Sequence, residues 1–262
     1  MHLNRAFAVL LASPALAIPV AQLEHPNIAG KVHGLIAQNN STNIHNGTGA
    51  GRDQYRMYTG NGSPASGWPA RSDWVSFEYI GNVNRRDRFA KNRAAMLSSC
   101  SRFGVPNNSE AEVSAIRDGI LKVATETGVD SRFILAIIMQ ESTGCVRVHS
   151  TVGSHRNPGL MQDHDGAATC NDRGTVQHPC PASTIEQMIR DGTAGTPRGD
   201  GLLQCLSAAG SADVAAFYRA ARKYNSGHAP EDLGTGGATA CYASDVANRL
   251  TGWVSAASKC TL

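Results

Sequence analysis

The sequence lacks several features that would point to common classes of protein. It has no run of about 18 apolar residues, the length that a membrane-spanning helix needs. It contains no Gly-x-Ser-x-Gly elbow, no phosphate-binding loop and no dinucleotide fingerprint. The net charge is only +3, which is too small to indicate a nucleic-acid partner. This charge is compatible with an anionic cell-wall polymer without requiring one.

Cysteine is absent from the first 99 residues, so any cross-linked body begins near position 100. The seven cysteines are Cys100, Cys145, Cys170, Cys180, Cys205, Cys241 and Cys260. No Cys-x-x-Cys pair occurs, which argues against a zinc ribbon or a thioredoxin-like redox site. Because the count is odd, we expect one thiol to stay free or to pair between molecules. Cys170 and Cys180 are close enough to close one loop, and the other pairings stay open.

The first 17 residues are typical of a secretory signal peptide. Arg5 supplies a positive charge, residues 6–12 form a short apolar run, and residues 15–17 form a small-x-small cleavage site. Five asparagines open N-glycosylation sequons: Asn39, Asn40, Asn46, Asn61 and Asn107. We therefore expect a secreted, extracellular, disulfide-bonded glycoprotein with no membrane segment after signal cleavage.

Residues 18–72 are rich in Gly, Asn and Ser and show no apolar period. Such polar segments are typical of linkers, and a glycosylated linker is the first interpretation. The alternative is a loop-rich extension that packs on the body through Tyr55, Tyr58 and Trp68. Residues 73–262 form the predicted catalytic body in either case.

The body is predicted to be all-α, because no segment alternates in the manner of strands. Ser109 and Glu112 have the spacing of a capping box, and Gly128 should end the helix that they open. Asp130 should cap the next helix, which runs to Glu141. Further helices are expected near 74–80, 89–97, 183–190, 202–206, 214–224 and 242–254. Residues 143–182 are predicted to form loops.

The helix that ends at Glu141 is nearly all apolar over residues 133–139. A carboxyl group at the end of a buried helix is short of water, which disfavours the anion and raises its pKa, as suits a general acid. The alternative is an ordinary core helix with a solvated glutamate at its end.

Two later motifs favour the first interpretation. Gly159-Leu-Met-Gln162 begins 18 residues after Glu141, and Lys223-Tyr-Asn-Ser-Gly227 follows further on. Together with the pair Glu141-Ser142 and with Tyr242, they resemble the catalytic domain of soluble lytic transglycosylases and goose-type lysozymes, glycoside hydrolase family 23. The resemblance covers about residues 110–254 and is strongest at 133–162 and 219–227.

The resemblance implies a lysozyme-like fold with long disulfide-stapled loops around a substrate cleft for polymers of N-acetylated sugars. By position, Glu141 would be the general acid of an enzyme that cleaves the β-1,4 bonds of peptidoglycan. The residues that bind substrate or support the site would be Ser142, Gly159, Leu160, Met161, Gln162, Tyr224 and Asn225. We expect a monomer without a cofactor or metal, whose partner is the polysaccharide. The alternatives are a chitinase-type activity and a non-catalytic wall-binding protein on the same scaffold.

The chain departs from the family pattern where a second acid is expected. Goose-type lysozymes carry that acid about a dozen residues after the first, but residues 151–156 hold no carboxylate. Asp163 and Asp165 are candidate second carboxylates, although His164 occupies the position of the family's aspartate. Lys223 also stands where the family often has alanine. If neither aspartate acts, the substrate's 2-acetamido group would assist, as it does in lytic transglycosylases.

The histidines and tryptophans near these motifs have structural interpretations as well as functional ones. Four histidines fall among the predicted loops: His149, His155, His164 and His178. Their spacing matches neither His-x₃-His nor His-Glu-x-x-His, so we expect loop histidines and no metal site. Trp68, Trp74 and Trp253 are candidates for stacking on sugar rings, but Trp74 and Trp253 are expected in the core.

Overall fold

The computed structural model describes residues 47–77, 88–210, 213–235 and 239–261. The predicted signal peptide, residues 18–46 and three of the five sequons lie outside the described residues. The described chain is mainly helical, as predicted. Its helices are α1 (Arg88–Ser98), α2 (Glu110–Thr127), α3 (Ser131–Glu141), α4 (Ala182–Ala194), α5 (Leu202–Ala208), α6 (Ala215–Ser226) and α7 (Tyr242–Thr251).

Short antiparallel ladders interrupt the predicted loop region between α3 and α4. Strand β1 (Thr151–Val152) pairs with β2 (Arg156–Asn157), and β3 (Asn171–Asp172) pairs with β4 (Thr175–Val176). Three short 3₁₀ turns lie at Pro64–Ser66, Arg71–Asp73 and Ser99–Phe103. Among the described helices, none is long and apolar enough to cross a membrane.

The predicted capping residues of α2 and α3 act as expected. Ser109 Oγ accepts from the Glu112 amide at 3.2 Å, and Glu112 Oε2 accepts from the Ser109 amide at 2.7 Å. Gly128 ends α2 with φ 73°, in the left-handed region that glycine adopts without steric cost. Asp130 then accepts from the Arg132 amide at 2.9 Å and starts α3. The two helices are therefore defined by local hydrogen bonds at their ends.

Helix α3 is the centre of the core. Every residue from 131 to 139 is buried. The helix packs against α2 and α7, while α2 packs on α4 and α6 packs on both α5 and α7. Each large apolar side chain buried in this way contributes on the order of 1.5–3 kcal/mol to folding. This packing explains why a helix with apolar residues on all its faces is stable here, and it fixes the position of Glu141 at the last turn.

Some predicted element ends are wrong. Helix α4 begins at Ala182 after Pro181, without a side-chain cap, and runs to Ala194, beyond the predicted end at 190. Helix α7 ends at Thr251, not Val254, because Gly252 turns the chain with φ 119°. Residues 74–77 are not helical, although Trp74 and Phe77 are fully buried. Tertiary burial, not helical period, accounts for the apolar residues there.

The segment 47–72 packs on the body, which corrects the linker interpretation for these residues. Tyr55 donates its hydroxyl to Asp245 Oδ1 at 2.6 Å, and the Arg56 amide donates to Asn248 Oδ1 at 2.7 Å. Trp68 is only 3% exposed, and its ring lies 5.0 Å from that of Tyr218. The extension named as the alternative is therefore the observed arrangement, and residue 72 is not a structural boundary.

Burial also decides the role of the tryptophans. Trp74 is fully buried and donates its indole N–H to the Tyr218 hydroxyl at 2.9 Å. Neither Trp68 nor Trp74 can therefore stack on a sugar ring. Trp253 is half-buried and packs edge-on against Tyr55, with ring centroids 4.9 Å apart.

Three cysteine pairs lie at disulfide distance. Cys170 pairs with Cys180, as their spacing suggested, Cys100 pairs with Cys145, and Cys241 pairs with Cys260. Cys205 is the free thiol and is buried. All seven cysteines lie within the described residues, and Cys205 is the one that forms no disulfide.

Candidate active site

Glu141 lies at the end of the buried helix α3, facing the first turn of α7. Tyr242, the first residue of α7, donates its hydroxyl to Glu141 Oε1. Burial raises the pKa of Glu141 to about 7, against the opposing effects of the Tyr242 hydrogen bond and the Arg249 charge. The carboxyl group is thus partly protonated near neutral pH, as a proton donor must be.

Ser142 connects the end of α3 to the following turn. Its hydroxyl donates to the Leu160 carbonyl at 2.8 Å and accepts from the Gly144 amide at 3.1 Å. The side chain is fully buried. Ser142 therefore holds the Gly159–Gln162 turn beside the end of α3, and its burial leaves no accessible surface on the side chain.

The turn at residues 159–162 contains two residues with positive φ, at its first and last positions. Gly159 has φ 72°, and a Cβ there would lie 2.8 Å from Met188 Cγ and 3.0 Å from the Ala168 carbonyl oxygen. Gln162 has φ 46°, and its side-chain amide donates to the Gly159 and His149 carbonyls at 3.0 and 3.2 Å. Leu160 and Met161 are fully buried. Of the four residues, only Gln162 lines the neighbouring cavity.

Tyr224 joins α6 to this turn. Its hydroxyl donates to the Met161 carbonyl at 2.9 Å. Asn225 Oδ1 accepts from Arg222 at 3.0 Å. Tyr224 and Asn225 line the same cavity of about 650 Å³ as Gln162. The structure therefore brings the two sequence motifs to one surface.

Glu141 is not among the residues that line this cavity, although its charge acts on the Tyr224 hydroxyl. Burial raises the pKa of the Tyr224 hydroxyl well above its usual value, and the nearby carboxylates of Asp163 and Glu141 raise it further. The phenol, the acid and the cavity are thus adjacent.

The two candidate second carboxylates have different environments. Asp163 is only 2% exposed, and its side-chain oxygens make no hydrogen bond of good geometry. Burial raises the pKa of Asp163 to about 8, and the neighbouring Asp191 contributes to this shift. Asp165 lies nearer the surface, with 23% of its side chain exposed. Burial thus keeps Asp163 from water and substrate, whereas Asp165 faces the loop histidines.

A buried polar network behind Glu141 was not predicted from the sequence. Gln140 Nε2 donates to Asp245 Oδ2 at 3.0 Å, and Arg249 Nε donates to Gln140 Oε1 at 2.8 Å. Asp245 also accepts from Tyr55. The sequence did contain one indication of this network: Asp245 and Arg249 are four residues apart, which places them on the same face of one helix. This network fixes the residue that precedes the candidate acid.

Two of the four loop histidines come together. The rings of His155 and His164 lie 3.8 Å apart, next to Asp165, whereas His149 and His178 are exposed elsewhere. Within the described residues, this group is where His, Cys, Asp and Glu atoms cluster closely enough to hold a metal ion. The sequence did not predict this cluster, because the two histidines are nine residues apart and match no metal-binding motif.

Comparisons of the chain with protein-family models, curated proteins and solved structures give no match.

Proposed function

We propose that this protein is a secreted glycosidase or lytic transglycosylase that cleaves β-1,4 bonds of peptidoglycan, with Glu141 as general acid. The observation that carries the proposal is the position of Glu141: it ends a buried helix, binds Tyr242, and has a pKa raised to about 7 by burial. A carboxyl group that is partly protonated near neutral pH suits donation to a leaving glycosidic oxygen. The adjoining cavity with Gln162, Tyr224 and Asn225 supports a polymer site.

In the proposed first step, Tyr242 holds one oxygen of Glu141, and the other oxygen carries the transferable proton. That proton passes to the glycosidic oxygen as the bond from this oxygen to C1 of the sugar breaks. The carbonyl oxygen of the substrate's own 2-acetamido group attacks C1 and forms a cyclic oxazolinium ion. Substrate assistance is favoured because Asp163, one of the two candidate second carboxylates, is enclosed by protein.

In the second step, water or the sugar's own 6-hydroxyl opens the ring and returns a proton to Glu141. Water gives a hydrolysis product, and the 6-hydroxyl gives an anhydro-sugar that lacks the elements of water. Product masses therefore distinguish a hydrolase from a transglycosylase. Chitin shares the N-acetylglucosamine unit with peptidoglycan, so the polymer must also be identified by assay.

The test is mass spectrometry of products from purified peptidoglycan and from a chitin hexamer, with wild type and Glu141→Gln. The amide keeps the shape and the hydrogen bond from Tyr242 but carries no transferable proton. We expect activity to fall by about 10²–10⁴. Glu231→Gln, at an exposed glutamate outside the site, should retain full activity.

Each possible result has a distinct meaning. Cleavage of chitin alone would replace the proposed polymer but keep the chemistry. Binding of either polymer without cleavage by wild type would show a non-catalytic protein. Near-full activity of Glu141→Gln would remove Glu141 from the mechanism. Asp163→Asn should cost less than about tenfold if the substrate assists, and a loss equal to that of Glu141→Gln would identify a second catalytic carboxylate.

A further inference from the structure

Three potential metal ligands converge at one wall of the cavity. His155 Nδ1 lies 3.6 Å from Asp165 Oδ2, and His164 Nε2 lies 3.8 Å from the same oxygen. One ligand atom from each of the three residues lies within 4.8 Å of the others. Ligands about 2.1 Å from a tetrahedral zinc ion are separated by about 3.4 Å, so the observed spacing needs only a small adjustment.

The side chains can make this adjustment. The two imidazole planes are inclined by 37°, and rotation of the rings about their side-chain torsions would bring one nitrogen lone pair of each ring to a common point. The His155 side chain is 48% exposed, so surrounding protein restricts its rotamer less than it restricts those of its two neighbours. His164 and Asp165 are less exposed, with 35% and 23% of their side chains accessible. One exposed and two better enclosed ligands can therefore close around an ion.

The backbone already holds the ligand group together. The Asp165 amide donates to the Arg156 carbonyl at 2.8 Å, and Asp165 Oδ1 accepts from the Arg156 amide at 3.1 Å. This leaves Oδ2 directed at the histidines, in the way that outer hydrogen bonds orient metal-binding carboxylates. The Arg156 guanidinium itself pairs with Asp172 at 2.8 Å. Thr196 Oγ1 fixes the His164 carbonyl at 2.8 Å.

We propose that His155, His164 and Asp165 form a binding site for a divalent transition-metal ion of the Zn²⁺ class at the wall of the cavity. Two imidazole nitrogens and one carboxylate oxygen suit Zn²⁺, Co²⁺ or Ni²⁺ better than Ca²⁺ or Mg²⁺, which prefer oxygen ligands alone. Three protein ligands leave at least one coordination position for water or another oxygen ligand. His155 and His164 both line the cavity, so that position is accessible from it.

The proposal differs from the sequence-based expectation of no metal, and it does not depend on the catalytic role of Glu141. Its test uses the full secreted chain, freed of metal by a chelator and carrying no affinity tag. Isothermal titration with Zn²⁺ should give one ion per chain. Co²⁺ should produce visible absorption bands of low-symmetry nitrogen and oxygen coordination. Excess Zn²⁺ should raise the thermal unfolding temperature, because the ion binds the folded state.

Variants locate the site. His155→Ala, His164→Ala and Asp165→Asn should each weaken Zn²⁺ binding by at least about tenfold. Asparagine at position 165 keeps an oxygen for the Arg156 amide and removes only the anionic ligand. His149→Ala and His178→Ala, at exposed histidines outside the group, should change the affinity by less than about twofold, since they supply no ligand.

Circular dichroism of each metal-free variant checks that the fold is retained. Absence of Zn²⁺ binding by wild type would overturn the proposal and leave the three side chains as neighbouring loop residues without a metal-binding role. Binding that persists unchanged in the His155→Ala and His164→Ala variants would also overturn it. Loss of binding in these variants with folding intact supports it.

Discussion

At the scale of single residues, the pKa of Glu141 reflects opposing effects. Burial disfavours the anion, while the Tyr242 hydroxyl and the Arg249 charge favour it, and burial is the stronger effect. A side chain that donates to the carboxylate therefore limits how far the pKa can rise. The same contact keeps one oxygen of Glu141 occupied and leaves the other for proton transfer.

Tyr242→Phe removes the hydroxyl that stabilises the Glu141 anion, so the pKa of Glu141 should rise further. If Glu141 is the acid, the alkaline limb of the pH–rate profile should move to higher pH. Measuring kcat/KM across the neutral and alkaline range tests this. Tyr224→Phe serves as the comparison, because Tyr224 donates to the Met161 carbonyl and not to Glu141. If the alkaline limb of the pH–rate profile does not move in Tyr242→Phe, this limb reports the titration of a group other than Glu141.

The raised pKa of Glu141 also predicts a cost in stability. A group whose folded-state pKa is about 7, above its ordinary 4.5, loses stability as pH rises through that interval. Near pH 8, the free energy of unfolding of Glu141→Gln should therefore exceed that of wild type by up to about 3 kcal/mol, and the variant should unfold at a higher denaturant concentration. Near pH 4 the two proteins should be equally stable. If the stability difference between Glu141→Gln and wild type is the same near pH 4 and near pH 8, Glu141 does not titrate as described.

At the scale of secondary-structure elements, a buried ion pair attaches the loop region after α3 to helix α2. The guanidinium of Arg147 binds Glu112 and donates to the carbonyls of Pro106 and Asn107 at 2.9 and 2.7 Å. Glu112 also accepts from the Cys180 amide at 2.7 Å, just before α4. One carboxylate thus joins the start of α2 to both ends of the loop region that carries the cavity.

This arrangement predicts a specific acid sensitivity. Burial alone would raise the pKa of Glu112, but the hydrogen bonds from Arg147 and from two backbone amides hold it at about 2. The contribution of Glu112 to stability is therefore complete above its ordinary pKa of 4.5 and is lost as pH falls towards 2. Glu112→Gln should cost about 3–5 kcal/mol at neutral pH, because it leaves Arg147 buried and unpaired.

Urea unfolding at a series of pH values measures this effect. The difference between wild type and Glu112→Gln should shrink as the pH falls below 4.5. Glu110→Gln, two residues away in an exposed pair with Arg93, should change stability by less than about 1 kcal/mol. Equal costs for the two variants would mean that burial of the Glu112 pair does not matter.

At the scale of the whole molecule, the segment 47–77 and helix α7 form one structure around the candidate acid. Tyr55 reaches Asp245, Asp245 reaches Gln140, and Gln140 precedes Glu141. Asn248 is 1% exposed and binds both the amide and the carbonyl of Arg56, at 2.7 and 2.6 Å. The N-terminal segment therefore stabilises the fold and also lies behind the site.

Asn248→Ala should destabilise the protein by about 2–4 kcal/mol, because it leaves two backbone polar groups of the packed segment without partners. Thermal or chemical unfolding measures the loss. Asn157→Ala is a suitable control, since the Asn157 side chain makes only a 3.4 Å contact with Thr151 near the surface. A protein that tolerates Asn248→Ala without loss would show that residues 47–77 contribute little to folding.

Much of the fold is predictable from the sequence because its causes are local. The capping box at Ser109, the left-handed turn at Gly128 and the cap at Asp130 are set by residues close in the chain. The continuous apolar run of α3 likewise places Glu141 at a helix end without knowledge of any neighbour. Burial of 47–72 was only an alternative from the sequence, since a polar, Gly-rich composition does not decide whether Tyr55, Tyr58 and Trp68 find a partner.

The sequence by itself determined the main helices, the position of Glu141 at the end of α3, and the order of the motifs around it. Only the tertiary structure decided that Tyr242, 101 residues away, binds Glu141, and that Asp163 is enclosed while Asp165 meets two histidines. Periodicity and caps act over a few residues of chain. Burial, pKa and ligand convergence depend on which distant side chains the packed core brings together.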